Sequence, residues 1–123
     1  MANLSATAGI PTWRYYFNAT FPNTQPAAAS GVNLGAYHSS EIPIVYGTFS
    51  QVGATLQEIE LSKFMRGAWA RFARHPEGGP GWSKWDGKNL GVIGSNGSIA
   101  VVVIAASEVD YRCPILEPVI LAE

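Results

Sequence analysis

The sequence has one cysteine, Cys113, two histidines, and few charges: 14% of 123 residues, for a formal net charge of −1. A single thiol excludes an internal disulfide and any zinc site built from thiolates. The sparse charge carries no basic stripe for nucleic acid or an anionic membrane surface; Lys63, Arg66, Arg71 and Arg74 are interspersed with apolar residues. No apolar run nears the roughly 20 residues that span a bilayer; the longest, 99–106, has eight. The opening MANLSATAGIPTW lacks the basic region and unbroken apolar core of a signal peptide. Expressed as written, the chain is expected in the cytoplasm. Three sequons, at Asn3, Asn18 and Asn96, point instead to a secretory history.

Apolar residues are plentiful, at 47%, too many for disorder. Residues 1–10 are expected to contribute little order. Trp13, Tyr15 and Phe17 then alternate with Arg14, Tyr16 and Asn18, the period of a half-buried strand. Pro22 and Pro26 end it and open a loop of about 15 residues, near whose end lies His38. The apolar run Ile42-Pro43-Ile44-Val45-Tyr46 follows and needs cover.

The spacing predicts one long helix from about 55 to 75. Thr55-Leu56-Gln57-Glu58 reads as a capping box. Leu61, Phe64, Met65, Ala68, Trp69 and Phe72 repeat at three and four to form one broad apolar face. Arg71, Arg74 and His75 suit its C-terminal dipole, and His75-Pro76 with Gly78-Gly79-Pro80-Gly81 stops it. That glycine cluster closes a helix and lacks a following Gly-Lys-Ser/Thr, so it is no phosphate loop. Two strands are expected at 90–93 and 99–104, joined by a turn at Ser95-Asn96-Gly97. The second is apolar throughout and is expected to be covered on both faces.

The helix face with Phe64, Trp69 and Phe72 has no evident cover in this order of elements, and neither does the run at 42–46. The chain therefore reads as the edge of a larger fold, or as a module whose apolar helix face meets a protein partner. A lone loop histidine is ordinarily a surface or structural residue; catalysis by His38 needs a nucleophile and an orienting acid within hydrogen-bond reach. Ser39 and Ser40 are too constrained as chain neighbours to serve as the attacking group. No metal or cofactor set is present.

LGAYHSSEIPIVYGTF resembles the catalytic-histidine segment of the type B carboxylesterase/lipase family, which includes the cholinesterases. Gly35, His38, Glu41, Ile42, Val45 and Gly47 carry that resemblance. Trp13-Arg14-Tyr15-Tyr16-Phe17 is similar to the strand upstream of it. Leu61-Ser62, Met65, Ala68-Trp69-Ala70 and Phe72-Ala73 are similar to the family's large C-terminal helix, Trp82-Ser83-Lys84-Trp85-Asp86 to the segment after it, and Asp110-Tyr111-Arg112-Cys113 to a motif near its end. The resemblance covers roughly 10–120 and looks closest to secreted fungal members. It implies an α/β fold: the C-terminal part of an α/β-hydrolase, with a late core strand, a histidine loop, a long amphipathic helix and terminal strands. It also implies ester hydrolysis, with a small-molecule ester as substrate and His38 as general base, and makes Glu41 and Gly35 supports of the histidine loop. The sequence contains no Gly-x-Ser-x-Gly elbow, no His-Gly-Gly-Gly oxyanion loop and no upstream triad acid. Alone it is expected to be inactive. The alternative is a non-catalytic binding module or a degenerate hydrolase remnant.

Overall fold

The computed structural model describes residues 2–26 and 31–115. Its elements are α1 (Ala2–Thr7), β1 (Tyr15–Phe17), α2 (Ile42–Tyr46), α3 (Leu56–Arg74), β2 (Asn89–Ile93), β3 (Val102–Ala105) and α4 (Ser107–Asp110). Short 3-10 turns at Pro22–Thr24, Pro76–Gly78 and Ser95–Gly97 lie between them.

Helix α3 forms where the capping box predicts. Thr55 is extended and its hydroxyl accepts from the Glu58 N–H at 3.1 Å, satisfying one orphan donor of the first turn. Leu61, Met65 and Ala68 are fully buried, one stripe at helical spacing. His75 caps the far end, its N–H donating to Arg71 O at 2.9 Å.

The sheet has the order β1-β2-β3. β1 pairs parallel with β2, Tyr15 opposite Gly91 and Phe17 opposite Ile93; β2 pairs antiparallel with β3, Asn89 opposite Ala105 and Val92 opposite Val102. Strand β2 is covered on both faces. Ile93 joins Phe21, Ile44, Leu61 and Met65 in the larger core. Leu90 and Val92 point the other way, to Trp85 and Ala106. Asp86 sets the entry to β2: its carboxylate accepts from the Lys88 and Asn89 N–H groups at 2.8 Å each and from the Asn89 amide, which lowers it to about 2.

Three expectations change. The strand thought to be covered on both faces, 99–104, begins only at Val102 and is the edge strand, with Val102 and Val103 about half exposed. An apolar run does not distinguish a central strand from an edge one; β2 holds the centre. The helix face thought to lie bare is met within the chain. Tyr15 meets Trp69 edge-on at a ring-centroid distance of 5.2 Å, Trp82 lies tilted against Trp69 at 6.0 Å, and Trp13 meets Phe72 at 5.4 Å; Phe72 alone of these helix residues stays over a third exposed. Residues 2–7, where no element was expected, form α1, and Asn3 Oδ1 accepts from Trp85 Nε1 at 2.9 Å.

A clasp joins the start of β1 to α4. Arg14 donates to both Asp110 oxygens at 2.7 and 2.8 Å and lies over the Trp85 ring at 4.5 Å, a bidentate pair on an aromatic face. The Asp110 carboxyl is lowered by the Arg14 hydrogen bonds, so its contribution to stability is present above its unfolded pKa and lost as pH falls through the folded one. Asp110→Asn should lower the urea midpoint at neutral pH and flatten its fall in acid. Leu61→Ala should cost about 2–5 kcal/mol by urea unfolding.

Candidate active-site histidine loop

The histidine loop begins where β1 ends. Successive short braces bind its two limbs together. The Tyr37 hydroxyl donates to Thr24 O at 2.6 Å. The Gln25 side chain donates to Gly35 O at 3.3 Å and accepts from Leu34 N at 2.9 Å. Asn33 Oδ1 accepts from Gly35 N at 2.8 Å, closing an Asx-type turn in which Gly35 has φ +65°, the left-handed conformation that favours glycine. Gly35 thus lies in the turn that brings the chain round to His38.

Beyond the histidine the chain turns again. Ser40 N–H donates to Tyr37 O at 3.0 Å and Ile42 N–H to Ser39 O at 3.1 Å, delivering the backbone into α2. The apolar run at 42–46 is thus helical. It is closed by Gly47 in the left-handed conformation and held to α3 by Ser62 Oγ, which donates to Ile44 O at 2.7 Å. Ile44 is fully buried. The result is a fixed platform immediately after the loop.

His38 is exposed and borders a hollow of about 260 Å³ shared with Tyr15, Tyr16, Phe17, Ser40 and Glu41. Arg14–Asp110 and Lys63–Glu60 are the ion pairs among the described residues, so neither His38 nor Glu41 is held in one. Glu41 occupies the N-cap of α2 without a side-chain capping bond. Burial pushes the Tyr15 phenol up, and the Glu41 charge adds to it. The Ser40 hydroxyl is buried without a partner among the described residues. Ser39 has φ +70°, which is uncommon for a residue with a Cβ. His75 lies at the other end of α3 as its cap, and Cys113 is free and exposed.

The structure brings His38, Gly35 and Glu41 into one loop region and adds residues that the sequence did not single out. Asn23, Gln25 and Tyr37 brace the loop, and none belongs to a spaced motif. Glu58 was legible only as a capping residue. No potential metal-binding cluster of His, Cys, Asp and Glu occurs among the described residues, and no helix there is long and apolar enough to cross a membrane.

No family model matches the chain. Individual proteins do. "Secreted lipase 5" of Gibberella zeae is 36% identical over 83 residues, which cover 67% of this chain and 15% of the relative. "Chlorogenic acid esterase" of Aspergillus niger is 36% identical over 75 residues, 59% of this chain and 14% of the relative. "Carboxylesterase 1C" of Rattus norvegicus is 39% identical over 89 residues, 66% of this chain and 15% of the relative. The chain is type B carboxylesterase-like. This carboxylesterase-like chain spans 14–15% of the length of these relatives, and its small mixed sheet with helices is consistent with a part of their α/β-hydrolase fold.

The strained turn beside the histidine yields a direct expectation. Ser39→Gly removes the Cβ conflict at φ +70° and should raise stability by about 1 kcal/mol, measured as the shift in urea midpoint.

Proposed function

We propose that this chain is the histidine-bearing, C-terminal part of a serine carboxylic-ester hydrolase. The observation that carries the reading is the similarity to esterases and lipases at 36–39% identity, in a chain whose histidine loop leaves the C-terminal end of a parallel strand. In open α/β sheets that end is where ligands bind and reacting groups gather.

In this reading His38 is the general base. A serine outside this chain attacks the ester carbonyl while the His38 imidazole takes its proton. The imidazolium then returns the proton to the departing alcohol. In the second half, water is activated by the same nitrogen and the acid product leaves. An acid from outside the chain holds the other ring nitrogen and fixes the tautomer. Glu41 and Gly35 shape the loop; Glu41 is not the triad acid. The exposed imidazole, free of any ion pair among the described residues, suits a group awaiting both partners. The half-exposed Val102 and Val103 and the outer edge of β1, unpaired among the described residues, suit a sheet that continues into further chain. The relatives, a secreted lipase and esterases by name, support a carboxylic ester as substrate and a secreted ancestor.

The chain by itself should not hydrolyse p-nitrophenyl acetate above the uncatalysed rate. A longer polypeptide joining it to an upstream Gly-x-Ser-x-Gly segment should do so. There His38→Ala should lower kcat/KM by roughly 10³-fold or more, because triad members act as a unit. Turnover by the isolated chain that vanishes in His38→Ala would refute the missing-partner part. An active longer polypeptide indifferent to His38→Ala would refute the base assignment.

A further inference from the structure

Glu58 is fully buried on the first turn of α3. Its Oε1 accepts from Asn23 Nδ2 at 3.1 Å, and the same nitrogen donates to Ser50 O at 3.0 Å. Two acceptors thus use both amide hydrogens, which fixes the orientation of the Asn23 side chain. Asn23 Oδ1 is left buried without a donor, and so is Glu58 Oε2. An ionised carboxylate only accepts hydrogen bonds, so neither atom can satisfy the other while Glu58 is charged. A proton on Oε2 would turn that oxygen into a donor, the kind of partner Asn23 Oδ1 lacks, and with the amide N–H already on Oε1 the two side chains would form an acid–amide ring.

From this geometry we infer that Glu58, when protonated, pairs with Asn23 in such a ring, and that this pair is the positioning device that fixes the base of the His38 loop to α3. The positioning role rests on the reading of His38 as general base. The line of contact is short. Asn23 lies in the turn Pro22–Thr24, Thr24 O receives the Tyr37 hydroxyl, and Tyr37 precedes His38. The adjacent Gln25 holds Leu34 and Gly35.

The surroundings offer no competing charge. The turn at 22–24 and the segment 47–54 contain no titratable residue. α2 carries only Tyr46, which is 71% exposed. On α3, Gln57 and Ile59 are neutral and Glu60 pairs with Lys63 at 2.8 Å. Burial pushes the Glu58 carboxyl up, against the Asn23 hydrogen bond and the Thr55 backbone N–H, both of which favour the charge. A carboxyl raised on folding contributes stability that is whole below its unfolded pKa and is lost as pH rises through the folded one.

The test is a 13C titration of the Glu58 side-chain carboxyl in the full chain, assigned through its own Cβ and Cγ, beside the same carboxyl in the urea-unfolded chain. A folded midpoint above the unfolded one is expected; a midpoint at or below it overturns the inference. Glu58→Gln supplies the same ring with an amide. Its urea midpoint should equal the wild type's in acid and exceed it once Glu58 ionises, with the Leu34 and Ser40 amides losing exchange protection over that range only in the wild type. Equal pH profiles in the two proteins overturn the inference, and if Glu58→Gln does not fold the wild-type titration decides. A raised midpoint with no esterase activity in the longer polypeptide removes the hydrolase reading and leaves the neutral pair standing. An active esterase whose Glu58 titrates at or below its unfolded value removes the pair alone.

Discussion

The parallel pairing of β1 with β2 is the constraint from which the remaining arrangement follows. Two parallel neighbours cannot be joined by a tight turn; the chain must leave one end of the first and return to the other end of the second. Here the crossover holds nearly everything of interest: the histidine loop, α2 and α3. Because β2 is then buried on both faces by Ile93 and Leu90, α3 must lie against the sheet with Leu61 and Met65 inward. His38 is placed by that route, at the end of β1 and before the platform of α2.

Within the crossover, the loop owes its shape to polar links more than to apolar packing. Thr24, Gln25, Asn33, Gly35 and Tyr37 share one set of hydrogen bonds, and the set is tied to α3 through Asn23 and Glu58. Such a network has a definite geometry when every member is satisfied and loses much of its value when one is not. The proton on Glu58 is therefore a matter of architecture as well as charge.

Much of this was legible in the sequence. The helix was visible from its capping box and its three-and-four spacing, and its bounds agree with α3. The aromatic alternation of 13–17 identified β1, but not that Trp13 and Tyr15 meet the helix at Phe72 and Trp69. What was not legible depended on partners distant in the chain. The run at 42–46 has no capping motif and contains a proline and two β-branched isoleucines, so its helical state follows from Pro43 in the first turn and Gly47 at the end. The apolar stretch at 99–104 looks as buried as β2, because hydrophobicity does not record which strand stands at the edge. Asn23, Gln25 and Tyr37 carry ordinary residue types at no diagnostic spacing, and their roles exist only once the loop has closed. His38, Gly35 and Glu41 are candidates through family resemblance alone, since no spacing in this sequence marks them as a site.

The outer edge of β1 has a consequence for the protein in solution. A strand edge offers backbone donors and acceptors to any extended chain, not only to a neighbour of its own fold. β1 is three residues long, and two of them, Tyr15 and Tyr16, are more than a third exposed. It is short enough to be a weak template and aromatic enough to be an attractive one. At high concentration a second molecule is the nearest available strand, so self-association should rise with concentration and fall when that edge is occupied.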